Sequence, residues 1–355
     1  MTALTGLLIA RITQSGPITV ADYMAECLLH PRHGYYATRD PLGGAGDFTT
    51  APEISQMFGE MIGLALAQAW LDRGAPAPFT LAELGPGRGT LMADILRATA
   101  HVPGFHAAAQ VHLVEASPKL RTIQAEQLAA HTPTHHDSAD TLPDQPLFLV
   151  ANEFFDALPV RQFVRDEDGW RERQVGVQNG KLILGLSGPT PAPFLTHRRE
   201  DTAHGDVVEY CPAASAVLAP VAARIQTHGG AALVIDYGEW RSQGDTLQAL
   251  KAHRPVDPLR SPGEADLTCH VDFEALISAT DLIPARVAPQ GLFLERLGIT
   301  QRARALAKAL SGPALDSHVA AHRRLTHPDE MGTLFKVLGL TRAGEPAIPG
   351  TTHDA

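Results

Sequence analysis

At 355 residues the chain exceeds the usual size of one compact core, so one large domain with insertions, or two domains, is expected, with room for a cofactor cleft. Hydrophobic residues make up 44% and charged residues 19%, near globular averages, and no stretch holds the roughly 20 uninterrupted apolar residues of a membrane span, so stable membrane insertion is set aside. A formal charge of -10 without any long basic run argues against general nucleic-acid binding and suits a cationic partner.

Residues 1–75 read as a helical region containing one long polar loop. The start, Met1 to Arg11, lacks a basic segment followed by a full apolar one and is not Arg-rich, so it reads as the first turns of a helix. Cys27, Cys211 and Cys269 are far apart and form no C-x-x-C pair, which predicts a reducing compartment and no cysteine metal site. The loop Gly43-Gly44-Ala45-Gly46-Asp47-Phe48-Thr49-Thr50 combines glycine mobility with a polar and aromatic tip, as a lid over a small cofactor requires; Asp47, Thr49 and Thr50 are its candidate cofactor contacts. Thr50-Ala51-Pro52-Glu53 has the spacing of a capping box, and Ile54, Met57, Phe58, Met61, Ile62, Leu66 and Trp70 then recur at helical intervals.

From residue 76 to 355 the pattern is that of a Rossmann-like α/β domain. Short apolar runs at Thr80 to Leu84, Val111 to Val114, Leu147 to Val150 and Ala231 to Ile235 predict strands, and Leu91 to Thr99, Pro118 to Ala130 and Ala214 to Thr227 predict helices. An antiparallel meander is expected as an insertion at about 160–190, from Val160 to Val164, Trp170 to Val175 and Lys181 to Leu186, with turns at Asp168-Gly169 and Asn179-Gly180. Gly188 to Phe194 reads as a Pro-rich loop. A second, substrate-side insertion is expected at about 239–330, with Arg302 to Arg324 helical, before Thr333 to Leu338 supplies a last strand.

The chemistry concentrates where strands end. Glu83-Leu84-Gly85-Pro86-Gly87-Arg88-Gly89 passes from a strand into a helix, and its glycines let backbone approach a ligand where a Cβ would collide. Val111-His112-Leu113-Val114-Glu115 then ends the next strand on a carboxylate suited to two ribose hydroxyls. A dinucleotide fingerprint needs a third glycine at position 90, which is Thr90, whereas G-x-G-x-G after an acidic residue suits S-adenosylmethionine; NAD or another nucleotide stays as the alternative. Glu83, Gly85, Pro86, Gly87, Gly89 and Glu115 are therefore the candidate cofactor residues, with Glu83 placed to serve the ammonium group.

Past the third strand, Asn152-Glu153-Phe154-Phe155-Asp156 puts an amide, two carboxylates and two aromatic rings at the same sheet edge. Asn152 is a cofactor candidate, Glu153 and Asp156 are candidates to hold a cationic nucleophile, and helix capping or a local salt bridge is the structural alternative for the two acids. Asp236 and Tyr237 end another strand at that edge, with packing the alternative for Tyr237, and in Asp266-Leu267-Thr268-Cys269-His270 the histidine is the pocket and catalytic candidate of the seventeen, with a satisfied structural histidine the alternative. His30 with His33, and His131 with His135 and His136, lack carboxylate or cysteine company, so no metal is predicted.

Taken together, Gly16-Pro17-Ile18-Thr19, His33-Gly34-Tyr35-Tyr36, Gly46-Asp47-Phe48-Thr49-Thr50-Ala51-Pro52-Glu53, the glycine loop, Asn152 to Pro159, Asp236-Tyr237-Gly238 and Ala265 to Phe273 resemble the MidA family, over about Gly16 to Leu340. The resemblance implies a class I methyltransferase sheet with an N-terminal helical region and inserted antiparallel strands and helices, using S-adenosyl-L-methionine. From the family's mitochondrial member it further implies dimethylation of an arginine on a 49-kDa-type subunit of respiratory complex I during assembly. A start close to the family motif fits a bacterial cytoplasmic relative. Methylation of a small metabolite and a non-catalytic, cofactor-binding assembly role are the competing readings, and the oligomeric state is open, a homodimer among the options.

Overall fold

The computed structural model describes residues 2–38, 49–167, 169–278 and 280–353. The chain forms two units, each gathered from three separate segments: one from 1–48, 156–215 and 239–275, the other from 49–155, 216–238 and 276–355.

The second unit is built on a mixed sheet. Its principal strands are β1 (Phe79–Leu84), β2 (Ala109–Val114), β3 (Thr134–His136), β4 (Leu147–Asn152), β5 (Gly230–Glu239) and β6 (Phe335–Thr341). They lie in the order β3-β2-β1-β4-β5-β6, with β5 and β6 antiparallel and the other neighbours parallel, and the short strands Ile283–Pro284 and Ala288–Pro289 pair antiparallel with β6. β1 and β4 are buried throughout, which is why they read as unbroken apolar runs. Trp70, Phe79, Phe105 and Phe148 pack ring to ring in the core, with Phe79 centroids 5.1 Å from Phe105 and 5.3 Å from Phe148.

The apolar repeat from Ile54 to Trp70 is split between two helices, Ala51–Ile54 and Gln56–Asp72, because Ser55 is extended (φ -162, ψ 136) and caps the second through its hydroxyl to Met57 N–H. Thr50 is the N-cap of the first helix, but the expected capping box does not form: Thr50 makes no side-chain cap bond, and Glu53 instead accepts from the Thr90 hydroxyl at 2.6 Å. Arg302 to Arg324 is likewise two helices, Ile299–Ala307 and Gly312–Thr326, with Gly312 at φ 54 and Pro313 in the first turn of the second.

In the first unit, helices Ala3–Ser15 and Val20–Leu29 both open on capping boxes, from Thr2 and Thr19. Their apolar faces (Leu4, Leu8, Ile12, Val20, Tyr23, Met24) share a core with Val160, Val175 and Leu267. The meander pairs Arg161–Arg165 with Trp170–Gln178 and that strand with Lys181–Thr190. Asn179 and Gly180, at φ 51 and 70, make the predicted turn between the last two. The strand runs on through Gly188 and Pro189, where a loop was expected; a proline is accepted there because this strand, bonded only to Trp170–Gln178 among the described residues, is an edge. Gln248–Lys251, Arg254–Val256 and Asp266–Thr268 form a small antiparallel sheet.

Candidate active site

Chain order reverses between β1 and β4, and in a parallel sheet the ligand crevice opens at the carboxyl ends beside such a reversal. The glycine loop leaves β1 there. Gly85, Gly87 and Gly89 all have left-handed backbone (φ 62, 54 and 83), and Gly89 is the N-cap of helix Thr90–Thr99. The loop is held by Gly85 N–H to Val114 O (3.0 Å) and Gly89 N–H to Pro86 O (2.7 Å). At Gly85 a Cβ would stand 2.7 Å from the Phe154 ring, so glycine is required both by conformation and by space. Pro86, within the turn, is buried.

Glu83, at 3% exposure, accepts from the Met92 N–H in the first turn of that helix, while its Oε2 has no hydrogen-bond partner among the described residues. Burial pushes its pKa up to about 8; the Met92 bond opposes the rise and the Glu115 charge adds to it. Glu115, at the end of β2, accepts from Ser117 N–H at 2.8 Å and has its own pKa raised, chiefly by burial. These acceptors fit an ammonium group and ribose hydroxyls. They fit a pyrophosphate poorly, because a phosphate needs donors and positive charge where this loop presents buried carboxyl groups whose ionised forms would repel it.

Past β4, Asn152 is buried, donates to Glu153 Oε1 at 3.1 Å and has its own Oδ1 unpartnered among the described residues. The same Glu153 oxygen accepts the Ala51 N–H at 2.9 Å, and Glu153 itself is held at φ 51. Phe154 and Phe155 meet edge to face, and both of their N–H groups donate to one oxygen of fully buried Asp236 (3.2 and 2.9 Å), which lies within β5 because that strand continues past its expected end to Glu239. Asp236 was legible as a crevice residue; its role as the clamp on the β4 loop was not.

Asp47 lies outside the described residues. Thr49 and Thr50 precede helix Ala51–Ile54 in the sheet unit, where Ala51 meets Glu153. Asp156 and His270 belong to the first unit: buried Asp156 offers its backbone carbonyl to Cys269 N–H (2.9 Å), and His270 N–H donates to the Thr246 hydroxyl (2.8 Å). In that unit Tyr36 donates to Asp266 (3.1 Å), a pair joining two motifs that lie 230 positions apart. Gln124, between Gly87 and Glu115, was not legible at all, since it sits in a helix of mostly polar residues with no spacing signal. Among the described residues no group of three or more His, Cys, Asp or Glu could hold a metal, and no helix is long and apolar enough to cross a membrane.

Comparison with known proteins gives a consistent result. Residues 61–288 match the family model described as "Putative S-adenosyl-L-methionine-dependent methyltransferase". The mitochondrial protein arginine methyltransferase NDUFAF7 of Xenopus tropicalis is 36% identical over 94% of this chain and 84% of its own length, and that of Homo sapiens is 37% identical over 94% and 82%. A crystal structure from Burkholderia thailandensis, bound to S-adenosyl-homocysteine, superposes with a TM-score of 0.84 at 30% identity, covering 98% of this chain and 94% of that one. The acceptor-rich crevice at the end of β1 and β4, together with these likenesses, places the chain in the MidA family of S-adenosyl-L-methionine-dependent methyltransferases.

Proposed function

We propose that this enzyme methylates arginine in a protein, with Glu153 holding the guanidinium. The observation that carries the reading is the state of Glu153: a non-glycine residue at φ 51, one carboxylate oxygen fixed by two donors, at the carboxyl end of a central strand. Left-handed backbone at such a residue costs on the order of 1 kcal/mol, and strain of that kind collects where geometry serves function. The relatives named protein arginine methyltransferase supply the nucleophile class, and the acidic overall balance agrees with a cationic one.

When bound, the cofactor supplies a sulfonium methyl group. The chain contributes position. Glu83 would hold the ammonium end and Glu115 the ribose, with Gly85 kept free of a side chain against Phe154. Glu153 would hold and orient the guanidinium for attack. The chemistry the cofactor would supply is transfer of its methyl group from sulfur to a guanidinium nitrogen, with the nitrogen's proton lost to solvent. Asn152 keeps the carboxylate of Glu153 from turning away.

A 49-kDa-type subunit of complex I is the first substrate to test. In single-turnover transfer to its arginine peptides, Glu153→Gln should lower the rate by one to several powers of ten, the scale of losing a transition-state contact of about 2 to 4 kcal/mol, and leave donor affinity nearly unchanged. Wild-type transfer by folded Glu153→Gln removes Glu153 from this role. Label that enters only small metabolites removes the protein substrate.

A further inference from the structure

Gln124 is completely buried (0% exposed), and a buried primary amide must place two N–H donors and a carbonyl acceptor. Its Nε2 donates to the Gly87 carbonyl at 2.6 Å and to Glu115 Oε2 at 3.3 Å, and its Oε1 stands 3.0 Å from His135 Nε2. Chemistry decides the orientation. The Gly87 carbonyl and an ionised Glu115 only accept, so the amide nitrogen must face them; the amide oxygen then needs a donor, and His135 must carry its proton on Nε2. Burial, aided by Arg121 and His136, lowers the His135 pKa and so favours the neutral ring with that one proton. The Gln124 stem also underlies the loop, with Cγ 3.6 Å from where a Cβ on Gly89 would stand.

We infer that Gln124 is a positioning residue that ties the glycine loop to Glu115 and so sets the span across which adenosine is held, with His135 orienting its amide. The inference rests on reading Glu115 as the ribose ligand. Without the His135 proton the amide oxygen loses its donor and the preference for this orientation shrinks, although the turned amide would set its oxygen against the Gly87 carbonyl and a carboxylate in a site with little water to screen them. Nothing in this arrangement touches the reacting atoms, so its signature is in cofactor affinity.

The test is calorimetric titration of the full chain with S-adenosyl-homocysteine, paired with thermal melts, for wild type, Glu115→Ala, Gln124→Met, His135→Phe and the double variant Gln124→Met/His135→Phe. Gln124→Met keeps the length of the side chain and removes its donors, so Kd should rise about tenfold or more. At saturating cofactor its kcat should fall far less. His135→Phe should weaken binding by a smaller factor, and the double variant should bind no worse than Gln124→Met, because His135 acts through the amide. Gln124→Glu is the second variant: its affinity should recover relative to wild type as pH falls and a protonated carboxyl regains a donor for Gly87. Full affinity in Glu115→Ala overturns the ribose reading and this inference with it. If Glu115→Ala weakens binding but Gln124→Met does not, or Gln124→Glu binds independently of pH, the positioning role alone is overturned; additive losses remove His135 from it.

Discussion

At the scale of single residues, two buried glutamates in the sheet unit respond to pH in opposite directions. Glu83 has a folded pKa of about 8 against an ordinary 4.5, so between those values the unfolded chain gives up a proton that the folded one keeps. Stability of the cofactor-free protein should therefore fall as pH rises from about 5 towards 8, by up to about 1.4 kcal/mol per pH unit. Glu83→Gln should flatten that slope in denaturant titrations across the range; an unchanged slope would mean that Glu83 is ionised throughout. Binding a cationic ligand beside Glu83 should also release a proton near neutral pH, visible as a dependence of the calorimetric heat on the buffer. Glu60 is the reverse case. Burial alone would raise its pKa, but charge-assisted bonds from Arg302 and Arg97 outweigh it and hold it below the ordinary value. Its contribution is present above about pH 4.5 and is lost as pH falls through the lower folded value. Glu60→Gln should thus cost stability at neutral pH and little in acid, and an equal cost at both would refute the ion-pair account.

At the scale of elements, the crevice depends on the fastening of one loop to one strand. Asp236 in β5 receives the N–H groups of Phe154 and Phe155 on one oxygen and that of Tyr237 on the other. An asparagine there cannot accept on both sides. Asp236→Asn should lower unfolding stability by about 2 kcal/mol, the range for hydrogen bonds to a buried charge, and should weaken methyl transfer by displacing Glu153. A midpoint equal to wild type would show that the loop holds its own shape. The sequence located these strands to within a few residues because strands buried on both faces carry an unbroken apolar signal. It misplaced the helix breaks at Ser55 and before Gly312, where the apolar or helical pattern continues while the backbone does not. Glu53 shows the same limit: local spacing offered it to Thr50, and a tertiary neighbour, Thr90, took it.

At the scale of the whole molecule, each unit is assembled from three distant segments, so neither is complete until most of the chain has been made. The sheet unit in particular needs β6, whose Val337, Leu338 and Leu340 are fully buried and which pairs with β5 over seven positions. A chain ending at residue 330 should therefore fail to bind S-adenosyl-homocysteine in calorimetry and should lose the near-ultraviolet signal of packed aromatic residues. Retained binding would show that β1 to β5 suffice. What the sequence by itself determined is the chemistry carried by short, contiguous stretches: a strand, a glycine turn and a helix in register, an acid ending the next strand, and the acid and aromatic loop after β4. Those signals survive in one dimension because glycine spacing and burial periodicity are local properties. Only the tertiary structure decided which acids share a crevice, that Asp236 clamps the Phe154 loop, and that Gln124 joins Gly87 to Glu115, because each of these joins groups that meet only when strands far apart in the chain become neighbours in the sheet.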